Sequence, residues 1–255
     1  MKIKISSRFL LTPIIVVCVG YILSGCSSST TTPPTTTTTT NVYPKTGTTY
    51  TYAAYKDTAG MKVPNSDLVF TATVTADSMQ FNGQSNVYTV MDNGDTVYLS
   101  YAANNDAMIY YQSTGLNGLF QSIGNTVFHR WITLGTTSKS SVTLINNMAD
   151  TILYGGFAIP AIINLTSNYI GDTTITVGSE VLAVNHCTIT ATAVSNTILL
   201  TPAVTYTNVR DVFYSKKIGY MAQVSTSEVI PTIAIASVKG STRGTFKVLT
   251  SYTVK

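Results

Sequence analysis

Few side chains in this chain could carry acid–base, nucleophilic or metal chemistry, and their spacing speaks against each. His186 and Cys187 are adjacent in Asn185-His186-Cys187-Thr188-Ile189-Thr190, an alternating, strand-like run. Neighbours in a strand point to opposite faces, so a thiolate–imidazole pair cannot form there. Cys187 reads instead as a small buried hydrophobe. The other histidine, His129, precedes Arg130-Trp131-Ile132 at what reads as a strand start, far from His186. A metal would need several such ligands together. Asp92 and Asp95 flank Asn93-Gly94, but calcium takes six to eight oxygen ligands and no EF-hand pattern is present. There is no Gly-x-Ser-x-Gly elbow and no phosphate-cradling glycine loop. With no nucleophile, base and acid to assemble, the expectation is a non-enzyme without cofactor or metal.

The residue with the clearest assigned chemistry is Cys26. Met1-Lys2-Ile3-Lys4-Ile5-Ser6-Ser7-Arg8 is a basic start, Phe9 to Leu23 is apolar, and Leu23-Ser24-Gly25-Cys26 follows. That order defines an export signal. The apolar run is shorter than the roughly 20 residues of a bilayer span, and Pro13 and Gly20 interrupt it. Leu23-Ser24-Gly25-Cys26 resembles the lipobox of bacterial lipoproteins. The resemblance implies cleavage after a signal peptide of residues 1–25 and a diacylglycerol on Cys26. An additional amide-linked acyl chain would make the anchor firm, at about 0.8 kcal/mol for each buried methylene. Ser27 stands where aspartate marks inner-membrane retention in the best-known sorting systems, so the resemblance favours the outer membrane of a Gram-negative bacterium. The domain would then face the periplasm or the cell surface.

Loss of the signal removes Lys2, Lys4 and Arg8, which leaves basic and acidic residues nearly balanced. A mature chain of that charge excludes an electrostatic nucleic-acid binder. Lys216-Lys217, its basic pair, reads as a solvated hairpin turn. After Cys26, residues 27–40 are serine, threonine and proline throughout. Such a run has nothing to bury, so residues 26–42 are expected to form an acylated, disordered tether. At roughly 3 Å per residue it would reach about 40 Å.

From Tyr43 the composition turns to Thr, Val, Ile and Tyr, residues suited to a pleated, half-buried surface. Alternation is plain in Phe70–Thr75, Thr96–Tyr101 and Thr188–Thr192. Asp92-Asn93-Gly94-Asp95 is a hairpin signal, since a type I′ turn needs positive φ at both central residues. Asn104-Asn105-Asp106 reads as the next turn, joining Val97–Tyr101 to Met108–Tyr111. Residues 43–255 therefore read as one antiparallel β domain, a meander curved into a half-barrel or barrel, with a sandwich as the alternative. Two stretches suggest short helices: Leu116–Ile123 and Ile159–Leu165, the latter with Pro160 suited to a first turn. The tyrosines are the one aromatic surplus. They could line a concave face against sugars or an acyl chain, or serve as ordinary half-buried strand residues.

Asp57-Thr58, Asp77-Ser78, Asp95-Thr96, Asp150-Thr151 and Asp172-Thr173 repeat one pattern, each followed by a small or aliphatic residue or Thr. They resemble the acceptor motif of a general O-glycosylation system of some Gram-negative bacteria, which would place glycans on Thr58, Ser78, Thr96, Thr151 and Thr173. The competing cause is that Asp ends turns and β-branched residues begin strands.

Finally, Tyr43-Pro44-Lys45-Thr46-Gly47-Thr48-Thr49-Tyr50-Thr51-Tyr52 resembles the opening strand of many uncharacterised Gram-negative lipoproteins. Val212 to Met221 resembles their late hairpin. Those proteins are similar to the lipoprotein carriers LolA and LolB, and the resemblance implies an unclosed antiparallel half-barrel. In this chain Tyr50 replaces the family's tryptophan, and lid helices are lacking. The expected function is non-catalytic binding of a hydrophobic ligand, lipid or envelope component. The alternative is a structural or adhesive surface protein that meets a protein or glycan. A hydrolase is the remotest reading.

Overall fold

The structure, a computed structural model, describes residues 42–111, 121–122, 130–134, 141–154, 157–195, 205–230, 232 and 240–255. For residues 111, 121–122, 150–154 and 157–159 it describes the backbone alone. Within the described residues every regular element is a strand. They are β1 (Thr49–Thr58), β2 (Met61–Lys62), β3 (Leu68–Phe81), β4 (Gln84–Asp92), β5 (Asp95–Tyr101), β6 (Ala107–Tyr111) and β7 (Gln121–Ser122). The second half contributes β8 (Arg130–Leu134), β9 (Ser141–Tyr154), β10 (Phe157–Val177), β11 (Glu180–Ser195), β12 (Thr205–Ser215), β13 (Tyr220–Ile230) and β14 (Ser241–Thr253).

All pair antiparallel into one sheet curled into a half-barrel. Its order is a meander of two arms joined in the middle. From β1 one arm runs through β3, β4, β5 and β6 to β8, and from β14 the other runs back through β13, β12, β11 and β10 to β9 and β7. The join is the pairing of β1 with β14, in register from Thr49↔Thr253 to Thr58↔Arg243 with one bulge at Thr51/Tyr52. The first and last strands of the domain thus share one ladder.

The alternation visible in the sequence is the reason for the curl. Along β11, Leu182, Val184, Cys187, Ile189, Ala191 and Ala193 are buried while the residues between them are partly or fully exposed. A strand with one apolar face must bury it, and a twisted sheet does so by wrapping onto itself. The buried side chains form one cluster that spans both arms, with Val90, Leu99, Ile132 and Leu134 from one and Leu165, Ile189 and Val212 from the other. The hairpin signals hold. Asn93 and Gly94 have φ of 52° and 93° between β4 and β5, and Asn105 has φ 62° between β5 and β6. Lys216–Gly219 forms the turn between β12 and β13.

One expectation is corrected. Ile159–Leu165 is not helical but lies within the 21-residue strand β10. Ala161, Ile163 and Leu165 are buried and alternate with less buried neighbours, a period of two that overrides the local apolar run. Pro160 is tolerated because pairing to β11 starts only at Ala161, so no amide hydrogen is needed there on that side. Of Leu116–Ile123, Gln121–Ser122 is a strand and the rest lies outside the described residues.

Candidate functional site

At one end of the half-barrel the interior is filled by tyrosine. Tyr50, Tyr52, Tyr88, Tyr214 and Tyr220 are each essentially fully buried. Their rings pack on one another, Tyr50 stacking on Tyr220 at 4.8 Å and Tyr101 meeting Tyr214 edge-on at 6.5 Å. The hydroxyls explain why these are not phenylalanines. The Tyr50 hydroxyl donates to the Ile218 carbonyl at 2.9 Å, Tyr88 to Gly219 at 2.7 Å, and Tyr52 to Met221. These carbonyls turn inward around the Lys216–Gly219 turn and would otherwise be buried without partners, a cost of about 1–3 kcal/mol each. The Tyr101 hydroxyl donates to the Val42 carbonyl at 2.7 Å, and the Val42 amide donates to the Lys216 carbonyl at 3.0 Å. The segment that enters the domain is therefore fastened to the same turn. Burial pushes the hydroxyls of Tyr52, Tyr88, Tyr214 and Tyr220 far above the usual phenol range, and the Asp92 carboxylate adds to this for Tyr52 and Tyr220.

Beyond this packing lies a cleft of about 870 Å³, lined from both arms of the sheet. It takes in the Asn93–Gly94 turn, at the opposite end of β5 from the Tyr101 contact with Val42. Lys247 stands on its floor, 19 % exposed, with its ammonium against the Asp92 carboxylate and 5.0 Å from the centre of the Tyr52 ring. Asp92 is buried and also accepts from the Tyr220 hydroxyl at 2.7 Å. Burial pulls Lys247 below the usual lysine range, the Asp92 carboxylate opposes that, and the Arg210 guanidinium adds to it. Arg210 and Lys56 also line the cleft. Phe70, stacked on Tyr52 at 5.4 Å, lines the cleft beside Lys247, whereas Tyr55 and Phe246, paired one position out of phase with Ala54 and Lys247, stack at 5.0 Å on the opposite face of the sheet. Val97 and Ile109 line the other side from the inner face, while Tyr98 and Tyr110, in the opposite phase, cluster with Phe81 and Trp131, and Phe81 lies flat on Tyr98 at 4.0 Å. Such a site can bind an acid group.

The residues singled out in the sequence fall elsewhere, with Thr96 and the Asp92 turn as exceptions. Cys187 is 1 % exposed in the core. His186, on the opposite face, stacks on Phe213 at 4.1 Å and lies 3.0 Å from an Asp211 carboxylate oxygen, which also accepts from Thr188. His129 and Cys26 lie outside the described residues. Among the described residues no group of His, Cys, Asp or Glu could hold a metal ion. Thr58, Ser78 and Thr173 are exposed, and Thr96 is half-buried in the cleft lining. Thr151 lies in β9, where the side chain is not described. Asp77 is fastened to Thr46, whose amide and hydroxyl donate to it at 2.8 and 3.1 Å and hold its carboxyl below the usual range. Lys247 and Arg210 were missed. The available signal was phase: each occupies a strand position whose neighbours two residues on, Leu249 and Val212, are buried.

The crystal structure of the hypothetical lipoprotein YmcC from Escherichia coli (K12) is similar to this chain at 12 % identity. The match covers 79 % of this chain and 84 % of that one, with a TM-score of 0.29. No protein-family model matches the chain, and no curated protein does. The fold itself is an antiparallel half-barrel, with a cleft lined from both of its arms.

Proposed function

We propose that this chain is a lipid-anchored, non-catalytic binding module of the Gram-negative outer membrane, and that the cleft over Lys247 takes an envelope component. The lipobox-like Leu23-Ser24-Gly25-Cys26 and the Ser/Thr/Pro run after it support the anchor and tether. The cleft carries the binding reading, because it joins a partly desolvated cation, Lys247, with the Phe70 ring beside it and about 870 Å³ of space, a volume typical of ligand sites. The tyrosine-filled interior argues against an acyl chain lying along that part of the inner face, where Tyr50, Tyr88 and Tyr214 already sit. An adhesive role at the cell surface would use the same cleft.

The test is mass spectrometry of small molecules extracted from protein gently purified from a Gram-negative envelope, beside the variant Ala54→Trp. Ala54 lines the cleft and is half-buried, so the larger ring occupies the ligand's space. A stoichiometric molecule that Ala54→Trp abolishes is the expected result. A molecule retained equally by both proteins, or none in either, would count against the cleft.

A further inference from the structure

The inner face changes character between the closed end and the cleft. At the closed end Tyr50, Tyr52, Ala72 and Leu99 are fully buried. On the same strands and in the same phase, Ala54, Leu68, Phe70 and Val97 are only partly covered, and Leu68 is 45 % exposed. Pairing fixes that phase. Phe70 stands opposite Tyr52, Leu68 opposite Ala54, and Val97 opposite the buried Val90, and directly paired residues share a face. All four line the cleft, with Ile109 and Val224 buried beside them. Side chains on the core-facing phase thus form an apolar strip open to a cavity, the kind of surface that marks a binding site.

One row nearer the mouth the same face turns polar. Lys56 is paired with Thr245, and Thr245 with Thr226, while Ala54, Lys247 and Val224 form the row behind. The Lys247 ammonium is held by Asp92 over the Tyr52 and Phe70 rings, so its charge is answered within the floor. Lys56 is exposed, and among the described residues no carboxylate pairs with it. Asp95, exposed at the Asn93–Gly94 turn, repels an anion toward Lys56. Phe70 supplies the one inner-face ring of the lining, so no second ring stands there to sandwich a flat ligand. A largely aliphatic interior below a cationic, hydroxyl-bearing mouth matches an alkyl chain with an anionic head.

We propose that the cleft takes a single-chain anionic amphiphile, its alkyl chain along Phe70, Val97 and Ile109 and its head group at Lys56. The inference rests on the cleft being the binding site and names the class of its ligand. The test uses the full chain in phospholipid nanodiscs with a hexadecanoate that carries a photoreactive diazirine in mid-chain. After irradiation, labelled peptides are mapped by mass spectrometry. The label should fall on the segments of β3, β5 and β6 that carry Phe70, Val97 and Ile109, and Ala54→Trp should lower it at least about fivefold. Unlabelled hexadecanoate and hexadecyl phosphate should compete about three- to fivefold better than hexadecanol, and Lys56→Gln should erase that difference. Lys56 is exposed, so this variant keeps the melting temperature. Whichever acid competes better identifies the head group. Equal competition by the alcohol and both acids overturns the anionic head and with it the proposal. So does label confined to other strands, or label undiminished by Ala54→Trp. If a co-purified molecule is then still lost in Ala54→Trp, the cleft stands as a binding site for another class of ligand. Retention of both label and molecule in that variant removes the cleft as well.

Discussion

The two ends of β5 use the same kinds of residue for opposite purposes. Near Tyr101, aromatic rings are buried, and each hydroxyl of Tyr50, Tyr52 and Tyr88 meets a carbonyl of the β12–β13 turn region. Near Asp95, the inner face opens into a cleft, and its polar lining includes the cations Lys247, Arg210 and Lys56. The difference lies in what the polar atoms face. A tyrosine hydroxyl aimed at a buried carbonyl completes the fold, whereas a lysine on a cleft floor leaves part of its field directed outward. Tyrosine content alone therefore does not mark a binding surface.

The largest expected effect would break the closed end by pH. Burial raises the hydroxyls of Tyr50, Tyr52, Tyr88, Tyr214 and Tyr220 above the usual tyrosine value of about 10. In the unfolded chain they ionise near pH 10, while in the folded chain they keep their protons, so above that pH the unfolded state binds fewer protons and stability falls. Each contributes about 1.4 kcal/mol of loss per pH unit in that window. Lys247 works in the opposite sense. Its lowered value makes stability rise with pH between its folded value and 10.5, so a mild gain precedes the collapse. Thermal melts from pH 8 to 12, followed with phenolate absorbance, should show phenolate appearing together with unfolding. Free titration of these tyrosines in the folded protein would refute the buried network.

At the cleft end the corresponding change is Lys247→Met. It leaves the Asp92 carboxylate, 7 % exposed, without its cation, and loss of one partner of such a pair costs about 3–5 kcal/mol. Pairing it with Asp92→Asn should recover most of that loss, because the asparagine can still accept from Tyr220. Urea titration of the two proteins compares them directly. A double variant as unstable as the single one would show that Lys247 matters through packing on Tyr52 and Phe70 instead.

Much of the closed end was legible in the sequence. The two stretches that resemble lipoprotein strands, Tyr43–Tyr52 and Val212–Met221, are the ones that meet there. Tyr50 stacks on Tyr220, and Tyr52 donates to Met221. Hairpins were legible because Asn-Gly and Asn-Asn place positive φ locally, and Cys187 because alternation assigns its face. The pairing of β1 with β14 was not, since nothing local joins Thr49 to Thr253. Nor was the strand at Ile159–Leu165, where an apolar run and a proline suit either structure until a neighbour supplies the ladder. The cleft was hardest to foresee. Lys56, Arg210 and Lys247 come from three strands, and only the join of the two arms brings them together.

A smaller effect sharpens the contrast within the tyrosines. Tyr88→Phe keeps the ring and removes the donor to Gly219, leaving a buried carbonyl short of a partner at about 1–3 kcal/mol. Tyr55→Phe, half-exposed on the outer face, should change stability by less than about 0.5 kcal/mol. Equal losses from the two, measured by chemical unfolding, would show that the Tyr88 hydroxyl does not complete the closed end.

A last contrast uses two glycines with positive φ, Gly219 at 65° and Gly94 at 93°. Both backbones are in a region that disfavours a side chain, so Gly94→Ala should cost about 1 kcal/mol. A Cβ on Gly94 meets nothing within 4 Å, so strain is the whole of that cost. At Gly219 the added atom would lie 2.6 Å from the Val42 carbonyl oxygen and 2.7 Å from the Pro44 ring. Gly219→Ala must therefore also push the entering segment off its turn and disturb the Tyr101 contact with Val42. The difference between the two melting temperatures isolates that docking from backbone strain. If Gly219→Ala costs no more than Gly94→Ala, the Val42–Pro44 segment is not held at the closed end.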